Sequence, residues 1–397
     1  MSVLVCIATG QPLANLISVL QLKPQQVIVL ASQSFKTKAK QFRDLLHDLG
    51  ATSSVRIVDD CPDTGIAEIS QFIEQKLYPL LPQLACDVNL TGGTKLHSFA
   101  LYEKLRHRAD RFFYVDTANR LIEYYPTTQH DSYHEALPSI LNIELSLKGM
   151  GKSFIKAESN TEQWQQQVQQ RANLSYWMAE NIGALQQILG ELNDIAMFYD
   201  GGKKNQLQAS NKPLYQYPAG KAIDLLEQAH DLKLIQWHGA KNVQFSHYQQ
   251  SRYLTGGWIE EYVWLVAQGL NFEQLQSSVT FGNTAQDLTE NNRATNEIDL
   301  LLCHANAMLA VECKSATGAK DVNKSQDMFH KLSGVASRAG GLMCSKLFVS
   351  AFALKQRDGR DIASVYHAKE QNIRIVQANE LVNLADILTL WRDTGRL

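Results

Sequence analysis

Long apolar runs are missing from this sequence. No stretch approaches the roughly 18 consecutive apolar residues needed to cross a bilayer, and the start, Met1-Ser2-Val3, has none of the basic residues that open a secretory signal. A membrane or secreted protein is therefore disfavoured, and a cytoplasmic location is expected. Paired cysteines are missing as well. Cys6, Cys61, Cys86, Cys303, Cys313 and Cys344 are scattered, without C-x-x-C or zinc-type spacing, so they read as reduced and mostly buried thiols. There is no excess of charge of either sign: the net charge is −2. That argues against a broad, permanently basic nucleic-acid surface, though not against a local channel. Neither G-x-G-x-x-G nor G-x-x-x-x-G-K-[ST] occurs, which disfavours nicotinamide binding and P-loop hydrolysis. What remains is an ordinary globular composition, 45% hydrophobic and 20% charged over 397 residues, long enough for two or three domains with real cores.

The stretch richest in chemistry is Asn296 to Ser315, NEIDLLLCHANAMLAVECKS. It reads as a β-hairpin. Alternation puts Ile298, Leu300 and Leu302 on one face of the first arm and Glu297, Asp299 and Leu301 on the other; in the second arm Glu312 and Lys314 share a face. A two-residue turn at Ala305-Asn306 places Asp299 opposite Glu312. Two carboxylates among apolar residues oppose each other's ionisation. A divalent cation resolves that conflict, and oxygen ligands suit Mg²⁺ or Mn²⁺ and phosphodiester hydrolysis. Lys314 would orient the attacking water or neutralise charge on the phosphate. The plainer reading is a half-exposed hairpin whose Glu and Lys are solvated.

The first ~145 residues alternate short apolar strands (Val3–Ala8, Val27–Ala31, Ser54–Val58, Asp87–Leu90, Arg111–Val115) with helices at about 14–22, 37–49, 66–81 and 96–106. This is the pattern of an open parallel sheet covered on both faces, whose ligands bind beyond the carboxyl ends of the strands. Two loops there are small and polar: Thr9, Gly10 and Gln11 after strand one, and Thr91, Gly92, Gly93, Thr94 and Lys95 after strand four. Glycines, hydroxyls, free N–H groups and a lysine at a helix start favour a phosphate, although T-G-G-T also makes a plain capped turn. Ser32, Gln33 and Ser34 after strand two add further hydrogen-bonding groups. His97 reads as satisfied in the core.

The hairpin resembles the PD-(D/E)xK nuclease superfamily, whose pattern is an acid on one strand, E-x-K on the next and a preceding helix with a further Glu. Here the helix is Gly256 to Trp264, with Glu260 as the helical acid and Glu261 as its understudy; Asn296-Glu297-Ile298-Asp299 stands where the superfamily often has a leading Pro. The amino-terminal half resembles the CARF domains, Rossmann-like sensors of cyclic oligoadenylates, through its sheet pattern and its Thr9-Gly10-Gln11 and Asn89-to-Lys95 loops. Together the halves resemble the CRISPR ancillary nucleases of type III systems. The resemblance implies a homodimer that binds a cyclic oligoadenylate, usually the tetramer, through Thr9 to Gln11 and Thr91 to Lys95, with Ser32 to Ser34 in support. It also implies metal-dependent cutting of nucleic acid, single-stranded DNA or RNA by preference with nicking of duplex DNA left open, by Glu260, Asp299, Glu312 and Lys314, with the Cys313 carbonyl and Glu260 completing the metal ligands.

The expected architecture is thus α/β: a Rossmann-like CARF domain over 1–145, a small α+β, winged-helix-like linker module over 146–248, and a restriction-endonuclease-like domain over 249–397. In the middle, Thr161 to Asn173 is polar and glutamine-rich and Tyr199 to Asn205 is a loop signal. Helices Ile182–Met197 and Lys221–His230 precede a strand-like pair, Leu234–Trp237 and Val243–Ser246. Beyond the first nuclease strand, Asn271 to Phe281, lies a polar loop, Thr284 to Thr295. The amphipathic helix Asp327–Ala339 brings Lys331 and Arg338 towards substrate phosphate or, more plainly, towards solvent. His304 reads as exposed. The competing class is a non-enzymatic nucleotide-sensing regulator that binds DNA or a partner through the middle module, and a further alternative is slow self-cleavage of the messenger by the sensor half.

Overall fold

The computed structural model describes residues 2–81, 86–128, 130–196, 213–245, 248–283, 295–315, 322–355 and 358–397. The loop read at Tyr199–Asn205 and nearly all of Thr284–Thr295 lie outside these residues, as do Met197 and Ser246, the ends of a helix and a strand.

The first half is built on β1 (Val3–Ile7), α1 (Leu13–Leu22), β2 (Gln26–Ser32), α2 (Lys36–Asp48), β3 (Ser54–Cys61), α3 (Ile66–Phe72), β4 (Cys86–Asn89), α4 (Lys95–Leu105) and β5 (Arg111–Asp116). Its sheet runs β3-β2-β1-β4-β5-β6-β7, closed off by β6 (Leu121–Tyr125) and β7 (Tyr133–Ala136). The first five strands pair in parallel. The last two pair antiparallel, so the sheet is mixed rather than wholly parallel. β1 is buried throughout because it packs both ways. Val3, Val5 and Ile7 meet α3 and α4, whereas Leu4, Cys6 and Ala8 meet α1 and α2, which is why it reads as a continuous apolar run. The helix expected over 66–81 breaks after Phe72 into a wider turn and a tight one, where Pro79 cannot continue it.

α5 (Ile143–Gly149) and β8 (Lys152–Lys156) follow. β8 pairs antiparallel with β11 (Gln274–Asn283), so the first part of the segment expected as a middle module, 146–248, already belongs to the second sheet. α6 (Glu162–Ala196) is one 35-residue helix. α7 (Lys221–Asp231), then β9 (Ile235–Gln236) and β10 (Gln244–Phe245), make the expected helix and hairpin. This middle segment does not stand apart: Leu226, Trp237 and Val243 belong to the same apolar cluster as Trp258, Val263 and Leu300.

The second half comprises α8 (Tyr248–Arg252), α9 (Trp258–Gln268), β11, β12 (Asn296–His304), β13 (Ala307–Lys314), α10 (Val322–Gly340), β14 (Cys344–Ser350), α11 (Ala363–Glu370), β15 (Ile373–Val376) and α12 (Leu384–Thr394). Its sheet order is β15-β14-β13-β12-β11-β8. One face packs on α6, α9 and α12, the other on α5, α10 and α11. The six cysteines are buried and unpaired, and among the described residues no helix is long and apolar enough to cross a membrane.

The two halves meet directly. Asn306, in the hairpin turn, accepts from Ile140 N and Leu141 N (2.8 Å each) and donates to Pro138 O (2.7 Å). Arg120 reaches the carbonyls that end α12, and Gln11 Oε1 accepts from Leu342 N at 3.0 Å.

Candidate active site and ligand loops

The hairpin forms in the register its alternation demands: Leu300 faces Val311 and His304 faces Ala307, around a turn whose two residues both have positive φ, 47° at Ala305 and 65° at Asn306. That is the twist a two-residue hairpin needs. Neither residue is glycine; the three hydrogen bonds of the Asn306 side chain hold the turn instead. His304, at this far end, is half-buried beside Glu273 rather than exposed.

At the other end the hairpin opens. Pairing with β13 stops at Leu300, and on the β11 side Ser278 and Asp299 are left unpaired, with Ser278 at φ 49°. Strict alternation fails here: Ile298 packs with Leu301 and Cys303, not with Leu300 and Leu302. The distortion frees the Asp299 carboxylate to accept from Cys313 N at 2.6 Å, so the acid caps the strand that carries Glu312. Lys314 Nζ lies 2.6 Å from Glu312 Oε1 and 3.9 Å from Asp299 Oδ2, and Lys331 from α10 reaches Glu312 Oε1 at 3.5 Å. Arg338 bonds Asn296 instead.

Glu260 and Glu261 begin α9 and, being neighbours, face differently. Glu261 turns to α6, where Arg171 grips it at 2.6 and 3.1 Å. Burial still pushes its carboxyl up to about 7 against that pairing. Glu260 faces the hairpin acids: burial, then the Asp299 charge, pushes its carboxyl well up. Burial and then Glu312 push Asp299 up in the same way. Burial works to lower the Lys314 ammonium, but Asp299 and Glu312 hold it above its ordinary value.

Does this set fit a divalent cation? Among the described residues no three Asp, Glu, His or Cys side chains form a ready cage. Yet Glu312 is 2% exposed and its Oε2 has no hydrogen-bond partner among the described residues, a costly state for a carboxylate oxygen. Beside it lie a second carboxylate and the Cys313 backbone. Two acids and a carbonyl are enough for an ion that keeps water and phosphate in its remaining positions, and the donor set is all oxygen, so the residues fit Mg²⁺ or Mn²⁺.

In the first half, the loops after β1 and β4 sit side by side where the strand order reverses, the usual crevice of such sheets. Gly92 packs so closely on β1 that a Cβ would run into the Ile7 carbonyl oxygen, and Gly93 has φ 74° against the Ile7 side chain. Asn89, fully buried, brackets the loop. Its Oδ1 accepts from Thr91 N (2.9 Å) and Thr91 Oγ1 (2.6 Å), while its Nδ2 donates to Asn15 and Ser18. Thr91 Oγ1 in turn accepts from Val115 N, so the Thr91 hydroxyl is committed inward. Gly93, Thr94 and Lys95 are exposed. Thr94 caps α4 together with His97, whose Nε2 must carry the hydrogen because its partner is the Pro62 carbonyl; His97 is the satisfied core residue it seemed. Ser32 and Ser34 bond each other and Ser34 turns to Asp63, while Thr9 Oγ1 accepts from Gln11 N.

Sequence reasoning missed Asn89 and Arg171 as organising residues. A polar residue inside D-V-N-L, directly before a glycine loop, was the available signal for Asn89; Arg171, 90 positions from Glu261, left none.

Comparison with known proteins agrees with this geometry. Residues 3–144 match the Card1 CARF domain and residues 247–394 the Card1-like endonuclease domain. Among solved structures, Can2 from Sulfobacillus thermosulfidooxidans, in complex with cyclic tetra-adenylate, superposes with TM-score 0.73 at 21% identity over 98% of this chain and 99% of its own. Protein VC1899 from Vibrio cholerae gives TM-score 0.77 at 18% identity over 100% and 99%. No curated protein matches the sequence. The chain thus joins a region that matches the Card1 CARF domain to one that matches the Card1-like endonuclease domain.

Proposed function

We propose that this protein is a metal-dependent nuclease that hydrolyses phosphodiester bonds of single-stranded DNA or RNA when cyclic tetra-adenylate occupies its CARF domain, acting in type III CRISPR antiviral defence. The observation that carries the reading is the splayed end of the hairpin, where Asp299, Glu312 and Lys314 converge and one buried oxygen, Glu312 Oε2, has no partner among the described residues.

Asp299, Glu312 and the Cys313 carbonyl would hold Mg²⁺ or Mn²⁺, with Glu260 closing the site directly or through water. When bound, the ion would supply Lewis-acid polarisation of the phosphate and a lowered pKa for the attacking water. Lys314, charged throughout the neutral range and anchored by Glu312, donates hydrogen bonds to that water and to the developing phosphate charge. Cys313 N–H keeps the Asp299 carboxylate aimed, and Lys331, 55% exposed, is placed to meet substrate phosphate.

Thr9, Gly10, Gln11, Gly92, Gly93, Thr94 and Lys95 contact the messenger, with Ser32, Gln33 and Ser34 at the rim and Thr91 holding the loop's shape. Can2, a structural neighbour over the whole chain, is bound to cyclic tetra-adenylate. A cyclic ligand with rotational symmetry is read by two copies of one pocket, so the working unit is a homodimer. Exposed Ile66, Leu96 and Phe99, beside the Thr94 loop, provide apolar surface for the second copy.

The test is cleavage of labelled single-stranded RNA, single-stranded DNA and plasmid with Mn²⁺, with and without cyclic tetra-adenylate. Cutting that requires both is expected. Messenger binding with no cutting of any substrate would overturn the reading.

A further inference from the structure

A cavity of about 370 Å³, lined in part by Glu260, opens between the start of α6 and the residues leading into α9. Its volume falls in the range of roughly 300–1,000 Å³ common for small-ligand sites. The floor is fixed: Arg171 is held by Glu261 and lies 4.6 Å over the Tyr253 ring. One wall is Trp164, locked edge-to-face against Trp264 at 5.0 Å. Gln163 and Gln167 line the pocket from α6, and Lys156 and Arg252 stand at its edge. Arg252 also pairs with Glu158 at 3.3 Å.

The charges inside balance. Lys156, Arg171 and Arg252 face Glu158, Glu260 and Glu261, so a phosphate placed in the interior would meet three carboxylates. A neutral planar group meets instead an indole, a guanidinium stacked on a phenol ring and two side-chain amides. These are the groups that stack on nucleobases and bond their edges. Glu260 joins the pocket to the candidate reaction centre.

We propose that this pocket is a base-binding subsite, taking the base of a nucleotide next to the scissile phosphate while the backbone stays outside on Lys156 and Arg252. The proposal rests on the nuclease reading above and adds to it a contact to one particular substrate base. Sequence preference at the cut then comes from the Gln163 and Gln167 amides, and tolerance from stacking on Trp164.

The experiment uses the full-length protein with Mn²⁺ and cyclic tetra-adenylate. Single-stranded oligonucleotides of one sequence, whose cut site has been mapped, carry one abasic residue at successive positions around it. One base–aromatic contact contributes about 1–3 kcal/mol, so a single abasic position beside the cut should lower kcat/KM by about 5- to 150-fold in the wild type. Trp164→Phe should retain that penalty and Trp164→Ala lose it. If Trp164→Ala does not fold, the double variant Gln163→Ala with Gln167→Ala, at one exposed and one half-buried position, should change the base preference at that position and leave the others alone. Cutting that ignores abasic residues everywhere, or an undiminished penalty in Trp164→Ala with an unchanged preference in the glutamine variant, would overturn the subsite. No cutting of any substrate by the wild type would overturn the nuclease reading itself.

Discussion

Behind the ligand loop of the CARF domain, the buried polar groups are neutral and each has found a partner: Asn89 bonds Thr91, Asn15 and Ser18, and Asn15 bonds the Ile7 carbonyl. Behind the hairpin of the endonuclease domain they are charged and one is left over: Lys314 sits between the half-buried Asp299 and the buried Glu312 carboxylates, and Glu312 Oε2 bonds nothing among the described residues. Both sites are polar islands in apolar cores. The first spends its hydrogen bonds on fixing a backbone shape, so it is complete before any ligand arrives. The second carries an electrostatic cost that only added charge relieves. The sensor's pocket is thus a matter of shape, and the nuclease's a matter of charge.

The sharpest way to break that contrast is to remove the charge. Glu312→Ala or Lys314→Ala should reduce cutting by more than about 100-fold, the scale of losing a charge-stabilising group at a reaction centre. The affinity for cyclic tetra-adenylate should stay within twofold, because nothing in the Asn89 network touches the hairpin acids. Retained cutting in either variant sinks the assignment. Adding Mn²⁺ should raise the thermal midpoint of the wild type, by about 2.7 kcal/mol of stability at 100 times its dissociation constant. Glu312→Ala should lose most of that rise, and chelation should stop cutting while messenger binding persists; a midpoint indifferent to Mn²⁺ would mean that the acids hold no ion.

The converse change acts on shape. At Gly92 a Cβ would strike the Ile7 carbonyl oxygen, so Gly92→Ala must shift either the loop or β1, at about 1–3 kcal/mol. A loss of roughly 10- to 100-fold in messenger affinity is expected, with the Mn²⁺ response unaltered. Calorimetric titration of the two ligands on one preparation separates these effects, and equal weakening of both would show that the halves are not independent sites.

The same contrast explains what was legible. Alternation in the two arms and a two-residue turn were enough to place Glu312 and Lys314 on one face and to set the register, because that information is local. The break at Asp299 was not local. It depends on Ser278 in another strand, which leaves the ladder and so spoils the simple grouping of Ile298 with Leu300. β8 was invisible for a similar reason, since Lys152 meets Asn283 across a sheet and nothing near Lys152 announces it. The antiparallel edge was missed because β7 is exposed along its whole length, with no apolar face to mark a period. The carboxyl-end loops could be read because glycine and hydroxyl residues follow a buried strand. The residue that shapes them, Asn89, could be found only by asking why a strand interior should hold an amide.

The smallest expected effect probes whether the two sites communicate. Gln11 lies in the loop after β1 proposed to hold the messenger, yet its Oε1 accepts from Leu342 N in the endonuclease domain, and Gly341 comes so close that any Cβ would strike the Gln11 amide. Leu342 lies just beyond the end of α10, the helix whose Lys331 reaches Glu312. A messenger that drew the Gln11 side chain towards itself would lengthen this contact, which links the loop after β1 to the end of α10. Gln11→Ala removes one hydrogen bond of about 1 kcal/mol. If that bond helps hold the inactive arrangement, messenger-free cutting should rise about fivefold, while the rate at saturating cyclic tetra-adenylate stays near that of the wild type. A basal rate that does not move would place the switch elsewhere, in the approach of two protomers rather than in this contact. Gly341→Ala, which forces the Gln11 amide aside without deleting it, should reproduce the rise if the contact is the brake. A rise in only one of the two variants would trace the effect to packing at that residue and not to the shared bond.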